Sequence, residues 1–382
     1  MSISLTEDQI ALQQMARDFA IKEIAPVITK EREQSGEFPW ELYQKMFDAG
    51  YSTMGLPEEY GGGGLSIFEQ LLINEQLSQY GDVGFLASCS SGEMAFGPIL
   101  NGGTEEQKKY YGKFIQEGKI AAFALTEPES GSDAASIRTT AVRDGDEYVL
   151  NGTKCFVTSG GLASIYTILA TVDRAKGYKG ITCFMVERDR PGLTVGKEED
   201  KMGFRMSNTV DLILEDVRVP VDHRIGEEGQ GFYLAMKNLD RTRPIGSIGA
   251  IALAQAAIDH TVRYTKVRKT FGKPIIENQA VQHILADMQI KTTAARHLCY
   301  NAARMIDEGV LDSELGSITK TFCSDIAMEV TTNAVQLFGG YGYCRDYPVE
   351  KLFRDAKLFA IFEGANQIQR NVIAKKMMKR IN

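Results

Sequence analysis

The feature that most constrains this chain is a change of hydrophobic period part-way along it. Short β-branched and aromatic runs occupy residues 121–125, 147–150, 154–158, 166–172, 181–186 and 210–214, separated by Gly, Asp and Asn turns. Runs of that length and spacing predict a small antiparallel barrel or sandwich. On both sides the apolar residues recur at a helical period. Thr6-Glu7-Asp8-Gln9 is a capping-box pattern that opens a segment with apolar Ile10, Leu12, Met15 and Phe19. Ser66-Ile67-Phe68-Glu69 and Thr104-Glu105-Glu106-Gln107 repeat the pattern, and the glycines 61–64 break the chain between helices. Beyond the β-like region, residues 250–267, 281–307 and 314–339 read as long helices, and 358–378 as a further one interrupted by Gly364. Helices, then strands, then helices predict an α+β chain with segregated classes. Its expected parts are a helical domain over 1–120, a β domain over 121–225 and a helical domain over 226–382.

Composition narrows the function classes. A chain of 382 residues has volume for two or three such domains, and 43% hydrophobic with 24% charged residues is ordinary for a globular protein. Its 43 Lys and Arg against 50 Asp and Glu leave a formal charge of −7, which argues against a nucleic-acid surface. An anionic ligand must therefore rely on local basic residues and backbone amides. No run of 18 apolar residues is present, so no membrane span is expected. Glu7, Asp8 and Asp18 break up the first twenty residues, an arrangement unlike a secretory or transit signal. The scattered cysteines Cys89, Cys155, Cys183, Cys299, Cys323 and Cys344 form no Cys-x-x-Cys pair, and the four histidines form no ligand pair. The expectation is free thiols in a reducing compartment, no metal, and no His-centred triad.

Several short segments carry chemistry. Ile361-Phe362-Glu363-Gly364 places one carboxylate between apolar residues and a glycine. Desolvation would raise its pKa and strengthen it as a base, and Gly364 would admit a substrate closely. The same residues are also compatible with a solvated Glu on a C-terminal helix. Thr126-Glu127-Pro128-Glu129-Ser130-Gly131-Ser132-Asp133 follows the first β run and offers hydroxyls and amides to a phosphate or a polar ring edge, or is a solvated turn. In Phe156-Val157-Thr158-Ser159, alternation puts Phe156 and Thr158 on one face, where they could stack on and hydrogen-bond a flat heteroaromatic ring. Phe156 could equally fill the β core. Arg241-Thr242-Arg243-Pro244 is read as lying before a helix. Arg268-Lys269-Thr270-Phe271-Gly272-Lys273 suits a diphosphate or a solvated face. Gln336-Leu337-Phe338-Gly339-Gly340 ends a helix on glycines that would let a ligand reach the backbone. Gly226-Glu227-Glu228-Gly229-Gln230-Gly231 lacks the strand–turn–helix context of a dinucleotide fingerprint.

In order along the chain, Thr-Glu-Pro-x-x-Gly-Ser-Asp, Asn-Gly-x-Lys-x-Phe-Val-Thr-x-Gly, Arg-x-x-Phe-Gly-Lys-Pro, Gln-x-Phe-Gly-Gly-x-Gly and Glu-Gly-x-x-x-Ile-Gln-Arg resemble one family, the acyl-CoA dehydrogenases. The resemblance spans essentially the whole chain. It implies an N-terminal helical domain, a middle antiparallel β-barrel and a C-terminal four-helix bundle, assembled as a homotetramer. It implies FAD as cofactor, with Phe123, Leu125, Thr126 and Ser132 along the flavin and its pyrophosphate, and Phe156 and Thr158 at the isoalloxazine. Arg268, Phe271, Gln279, Gln336, Gly339 and Gly340 would hold the adenine end from an adjoining subunit, and Gln367 would bind cofactor beside the catalytic segment. Glu363 matches the family's base, which takes the pro-R α-proton of an acyl-CoA while a hydride leaves the β-carbon for flavin N5. The Glu363 backbone N–H and a flavin ribityl hydroxyl would steady the thioester oxygen. Asp240, Arg243, Gly364 and Ser132 fall at positions that meet the acyl-CoA or brace the site. The implied electron acceptor is an electron-transferring flavoprotein, and the expected setting is a bacterial cytoplasm, with a processed mitochondrial form as the alternative.

Some family members carry the base just before the arginine matching Arg243; here that residue is Thr242, which cannot serve. Three positions depart from the family pattern. Phe362 stands where Tyr is common, Ala365 where Thr or Ser is usual, and Glu93 lies in the segment that lines the acyl pocket. Glu93 either faces solvent or a subunit contact, or selects a polar or cyclic acyl group; no arginine in 88–93 favours a dicarboxylate substrate. An enoyl-CoA reductase on the same fold and a silent binding subunit are the rival readings, the latter disfavoured by the presence of Glu363, Phe156, Thr158 and Arg268.

Overall fold

The structure, a computed structural model, describes residues 5–381. Seven helices come first: α1 (Glu7–Phe19), α2 (Lys30–Ser35), α3 (Trp40–Asp48), α4 (Ile67–Tyr80), α5 (Val83–Cys89), α6 (Ser91–Gly102) and α7 (Glu105–Gln116). All three capping boxes form, at Thr6, Ser66 and Thr104, each satisfying two otherwise orphaned amides. The strands are β1 (Ala121–Ala124), β2 (Thr140–Asp144), β3 (Glu147–Thr158), β4 (Ile165–Thr171), β5 (Ile181–Glu187), β6 (Leu193–Glu198), β7 (Thr209–Pro220) and β8 (Arg224–Ile225). Then follow α8 (Gly231–Val267), the short pair β9 (Lys269–Thr270) and β10 (Lys273–Pro274), α9 (Gln279–Asp307), α10 (Ser313–Phe338), α11 (Val349–Phe359) and α12 (Asn366–Arg380).

The β domain is one sheet in the order β6-β7-β3-β2-β4-β5-β8, with β1 added beside β4. Its pairings are antiparallel except β1–β4 and β2–β4, which are parallel. Period alone could not reveal this mixture, because parallel partners are set by crossovers. The runs read separately at 147–150 and 154–158 are one strand, β3, carried past two register shifts against β7. A second such shift re-aims whatever side chain sits on it. β4 and nearly all of β5 are buried throughout, so their continuous apolar runs reflect cover on both faces.

The C-terminal helices differ from the sequence reading at two places. Residues 241–244 do not precede a helix; they lie inside α8, with Pro244 enclosed in it. Proline removes one backbone donor and disfavours helical geometry in the residue before it. Packing against α4, α9 and α10 overrides that preference. Second, the expected helix over 358–378 is two helices, with Glu363 and Gly364 both left-handed in the gap (φ 53° and 91°). α8 is also long and apolar enough to cross a membrane, but 67% of its most apolar window is buried inside the protein. Its apolarity is spent on the bundle core with Ile248, Ile251, Leu253 and Ile258, each worth about 1.5–3 kcal/mol.

Candidate active site

Glu363 projects from the α11–α12 connection into a narrow crevice lined by Gly246, Ser247 and Ala250 of α8, Lys320 and Ser324 of α10, and Phe359 and Phe362. The carboxylate lies against α8 where that helix has no side chain. A Cβ on Gly246 would stand 3.1 Å and 3.2 Å from the two carboxylate oxygens. Burial lifts the Glu363 carboxyl from 4.5 to about 7, with the Arg243 and Lys320 cations pulling it partly back. Half-buried in this crevice, on a left-handed turn between two helices, Glu363 is not a solvated residue of a C-terminal helix. The turn is pinned from behind: Gln369 Nε2 donates to the carbonyls of Glu363 (3.2 Å) and Gly364 (3.1 Å), and Lys320 Nζ donates to Gly364 O (2.9 Å). Among the described residues, the Glu363 N–H has no protein acceptor and is free to donate.

The aromatic wall of this turn comes from three parts of the chain. Phe362 meets Phe359 edge-on at 5.3 Å and Phe204 of the β domain at 5.9 Å. Phe204 is itself left-handed, and its N–H donates to Asp355 Oδ1 (2.7 Å). Lys351 pairs with two buried carboxylates, Asp355 and Asp82 (2.7 Å to Asp82), so one half-buried ammonium ties N-terminal α5, the β-domain loop and α11 together. The missing hydroxyl at Phe362 is thus replaced by apolar packing rather than by another polar group.

Arg243 and Asp240 form an ion pair one turn apart on α8. Arg243 is buried and its Nε has no partner, while burial raises the Asp240 carboxyl against the pull of Arg243. Gln367, in contrast, is exposed in the first turn of α12 and does not enter the crevice. Glu93 is half-buried and turned inward rather than fully solvated. It accepts the Gly55 N–H at 2.7 Å, and burial lifts it to about 7 against Gly55 and Arg241. It does not line the crevice around Glu363.

The β-domain candidates gather at one edge. Phe156 does not fill the core: it is 63% exposed and left-handed (φ 54°), on the register shift between Lys154 and Val157. Thr158 is half-buried beside it, as are Phe123, Leu125 and Thr126, whereas Ser132 is exposed. Thr126 O accepts the Cys155 N–H (2.9 Å), joining the loop after β1 to β3. Beneath them Lys154 is fully buried and pairs with Glu127 (2.7 Å) while donating to Leu125 O (3.1 Å). Glu127 also accepts the amides of Arg138 (2.6 Å) and Thr139 (3.0 Å). One buried pair therefore ties the loop after β1 and the segment entering β2 to strand β3, and neither partner can be lost without stranding the other charge.

A separate open cleft of about 450 Å³ brings together Arg268, Gln336, Gly339 and Gly340 with Tyr264, Tyr341 and Cys344. Arg268 lies 5.4 Å from the Tyr341 ring centre. Side chains added at Gly339 or Gly340 would meet nothing within 4 Å, so a planar or phosphate-bearing group has access to the backbone there. Phe271, fully exposed and left-handed, and Gln279, exposed at the start of α9, lie outside this cleft.

Family models for the N-terminal, middle and C-terminal domains of acyl-CoA dehydrogenases match residues 6–119, 122–217 and 229–378. The chain belongs to the acyl-CoA dehydrogenase family. An acyl-CoA dehydrogenase of Bacillus subtilis is 44% identical over 380 residues, covering 98% of this chain and 99% of the relative. A cyclohexane-1-carbonyl-CoA dehydrogenase of Geobacter metallireducens is 43% identical over 376 residues, 98% of each chain. The solved structure of butyryl-CoA dehydrogenase from Megasphaera elsdenii superposes with a TM-score of 0.95 at 41% identity, covering 99% of this chain and 100% of that one. This acyl-CoA dehydrogenase is a flavin-dependent oxidoreductase that uses FAD. The residues present fit that cofactor: an exposed aromatic held on a bulge beside a hydroxyl, and an arginine over an open glycine-backed cleft.

Sequence reasoning missed Lys320, Gly246, Asn366, Gln369 and the Glu127–Lys154 pair. Lys320 carried a usable signal. It is a lysine three and four residues from Cys323 and Ser324, within the buried face of α10, where a solvated lysine has no place. Gly246 gave none, because its role exists only between α8 and the distant α11–α12 connection.

Proposed function

We propose that this enzyme removes two hydrogens from the α and β carbons of a short- to medium-length, branched or ring-containing acyl-CoA, giving the trans-2-enoyl-CoA. The observation that carries the reading is the Glu363 carboxylate, desolvated to a pKa of about 7 inside a crevice next to two cations. At that pKa it is ionised in a useful fraction at neutral pH and still basic enough to take a proton. The α C–H proton passes to Glu363, the β hydrogen leaves with its electron pair, and the carbon–carbon double bond forms between them. FAD, when bound, supplies the acceptor for that hydride.

The protein's own groups do the rest. The free Glu363 N–H is placed to donate to the thioester oxygen as negative charge develops there. Gly246 leaves room for the carboxylate on one side of the crevice, whereas Gly364, expected to admit substrate, faces the Gln369 side chain: a Cβ there would clash with Gln369 Nε2. Phe359 and Phe362 keep water off the base. Arg243 faces the same carboxylate and limits its protonation. Phe156 and Thr158 would meet the flavin ring, Phe123, Leu125, Thr126 and Ser132 its chain, and Arg268, Gln336, Gly339 and Gly340 the adenine end. The last group forms a cleft of its own, with no hydrogen bond or ion pair to the β-domain patch among the described residues, in keeping with a cofactor shared between subunits of a tetramer. Phe271, Val267 and Tyr343, exposed at the same end of α8 and α10, would be covered in such an assembly. An electron-transferring flavoprotein is the acceptor that the family resemblance supports.

The test is anaerobic mixing with butyryl-, octanoyl-, branched and cyclohexane-1-carbonyl-CoA while the flavin absorbance is followed. Bleaching by one class identifies the substrate. A yellow protein bleached by none, yet re-oxidised by enoyl-CoA after chemical reduction, would overturn the oxidative direction.

A further inference from the structure

Lys320 is 3% exposed in the first third of α10, and the reaction as described above gives it no part beyond being one of the two cations near Glu363. Its Nζ donates to Gly364 O at 2.9 Å and to Asn366 Oδ1 at 2.8 Å. Asn366 cannot turn away, because its Nδ2 donates to Ser324 Oγ (2.9 Å) and Asp325 Oδ1 (2.8 Å). The ammonium is therefore aimed, by a fixed amide, at the carbonyl following the base. That carbonyl belongs to a turn with two successive left-handed residues. For a non-glycine such as Glu363 that conformation costs about 1–2 kcal/mol and persists only when its surroundings impose it. Lys320 and Gln369 are the side chains that impose it, one from α10 and one from α12. The same ammonium lines the crevice occupied by the carboxylate.

We propose that Lys320 is a positioning residue for the base: its ammonium holds the Gly364 carbonyl, and with it the turn that lays the Glu363 carboxylate over Gly246, while its charge keeps that carboxylate ionised. This rests on the reading of Glu363 as the base. The charged groups around the pair are Arg243 from α8, Asp325 from α10 and Arg370 from α12, with Asp240 engaged by Arg243. Arg370 is held in turn by Asp325 (2.6 Å), so Lys320 and Arg243 are the two cations acting on Glu363 directly. Burial brings the Lys320 ammonium itself down to about 8, with Glu363 opposing the fall. A helix-packing lysine would need no such partners, and its loss would lower thermal stability without moving any titration.

The experiment compares FAD-loaded wild type, Lys320→Met, Asn366→Ala and Glu363→Gln. Anaerobic flavin bleaching is followed from pH 6 to 9 at limiting acyl-CoA, using the panel thioester that bleaches the unaltered enzyme, butyryl-CoA first. In parallel, the infrared band of the Glu363 carboxyl is titrated, assigned by its loss in Glu363→Gln. Lys320→Met is expected to lower the rate at pH 7 at least ~10-fold, and to move both the ascending limb and the infrared titration up by about one pH unit. Asn366→Ala keeps the cation and loosens the turn, so its rate falls with the limb unmoved; it also carries the test if Lys320→Met does not fold, since a wild-type rate in it overturns the proposal. Lys320→Met with wild-type rate and titration, beside an inactive Glu363→Gln, overturns the role of Lys320 and leaves the base intact. A Glu363→Gln enzyme that still bleaches overturns the base itself.

Discussion

Replacing Glu363 by Gln keeps shape and polarity and removes only the charge and the basicity. Lifting the carboxyl from 4.5 to about 7 corresponds to about 3 kcal/mol by which its surroundings disfavour the ionised form. Two consequences follow with opposite signs. Catalysis needs the ionised form, so in the unaltered enzyme the bleaching rate at limiting acyl-CoA should rise about tenfold from pH 6 to pH 8, with its midpoint near 7. Folding is burdened by the same form. A carboxyl whose folded-state pKa is raised loses stability as pH climbs from the unfolded value to the folded one, here from 4.5 to about 7. Glu363→Gln should therefore bind FAD, fall at least ~10³-fold in bleaching rate with no ascending limb, and yet resist unfolding better than the parent at pH 8. That advantage, at most about 3 kcal/mol, should shrink toward pH 5. Stopped-flow absorbance and denaturant unfolding of the FAD-loaded protein at the two pH values measure both. A variant that keeps a tenth of the parental rate, or a parental limb centred near 4.5, would refute the reasoning.

Gly246→Ala places a methyl 3.1 Å from a Glu363 oxygen. It should lower the bleaching rate about 10- to 100-fold by shifting the carboxylate on the order of an ångström, with FAD content by absorbance unchanged. Arg268→Ala removes the cation from the glycine-backed cleft and should leave the protein shedding FAD on gel filtration; full cofactor retention would remove Arg268 from the diphosphate role.

Glu363 was only partly legible from its chain neighbours: contiguous Phe362 is a wall of its crevice, but Ile361, read as a second desolvating neighbour, is 53% exposed, and Gly364 faces Gln369. The capping boxes at Thr6, Ser66 and Thr104 were legible because each is completed within three residues. The helix–strand–helix order was legible because hydrophobic period is a local property. What depended on distant partners was misread or unseen. Pro244 reads as a helix boundary, and only packing against α4, α9 and α10 keeps it inside α8. Phe156 was ambiguous between core and surface until its bulge against β7 turned it outward. Glu93 was read with solvent as one alternative, but a backbone amide 38 residues away, at Gly55, draws it inward. The sequence by itself determined the class of fold and the order of its parts, and through its family resemblance it offered Glu363 as the candidate base. Only the tertiary structure decided how basic that carboxylate is. Its pKa is set by burial and by Arg243 and Lys320, charges on helices that meet it nowhere but in space.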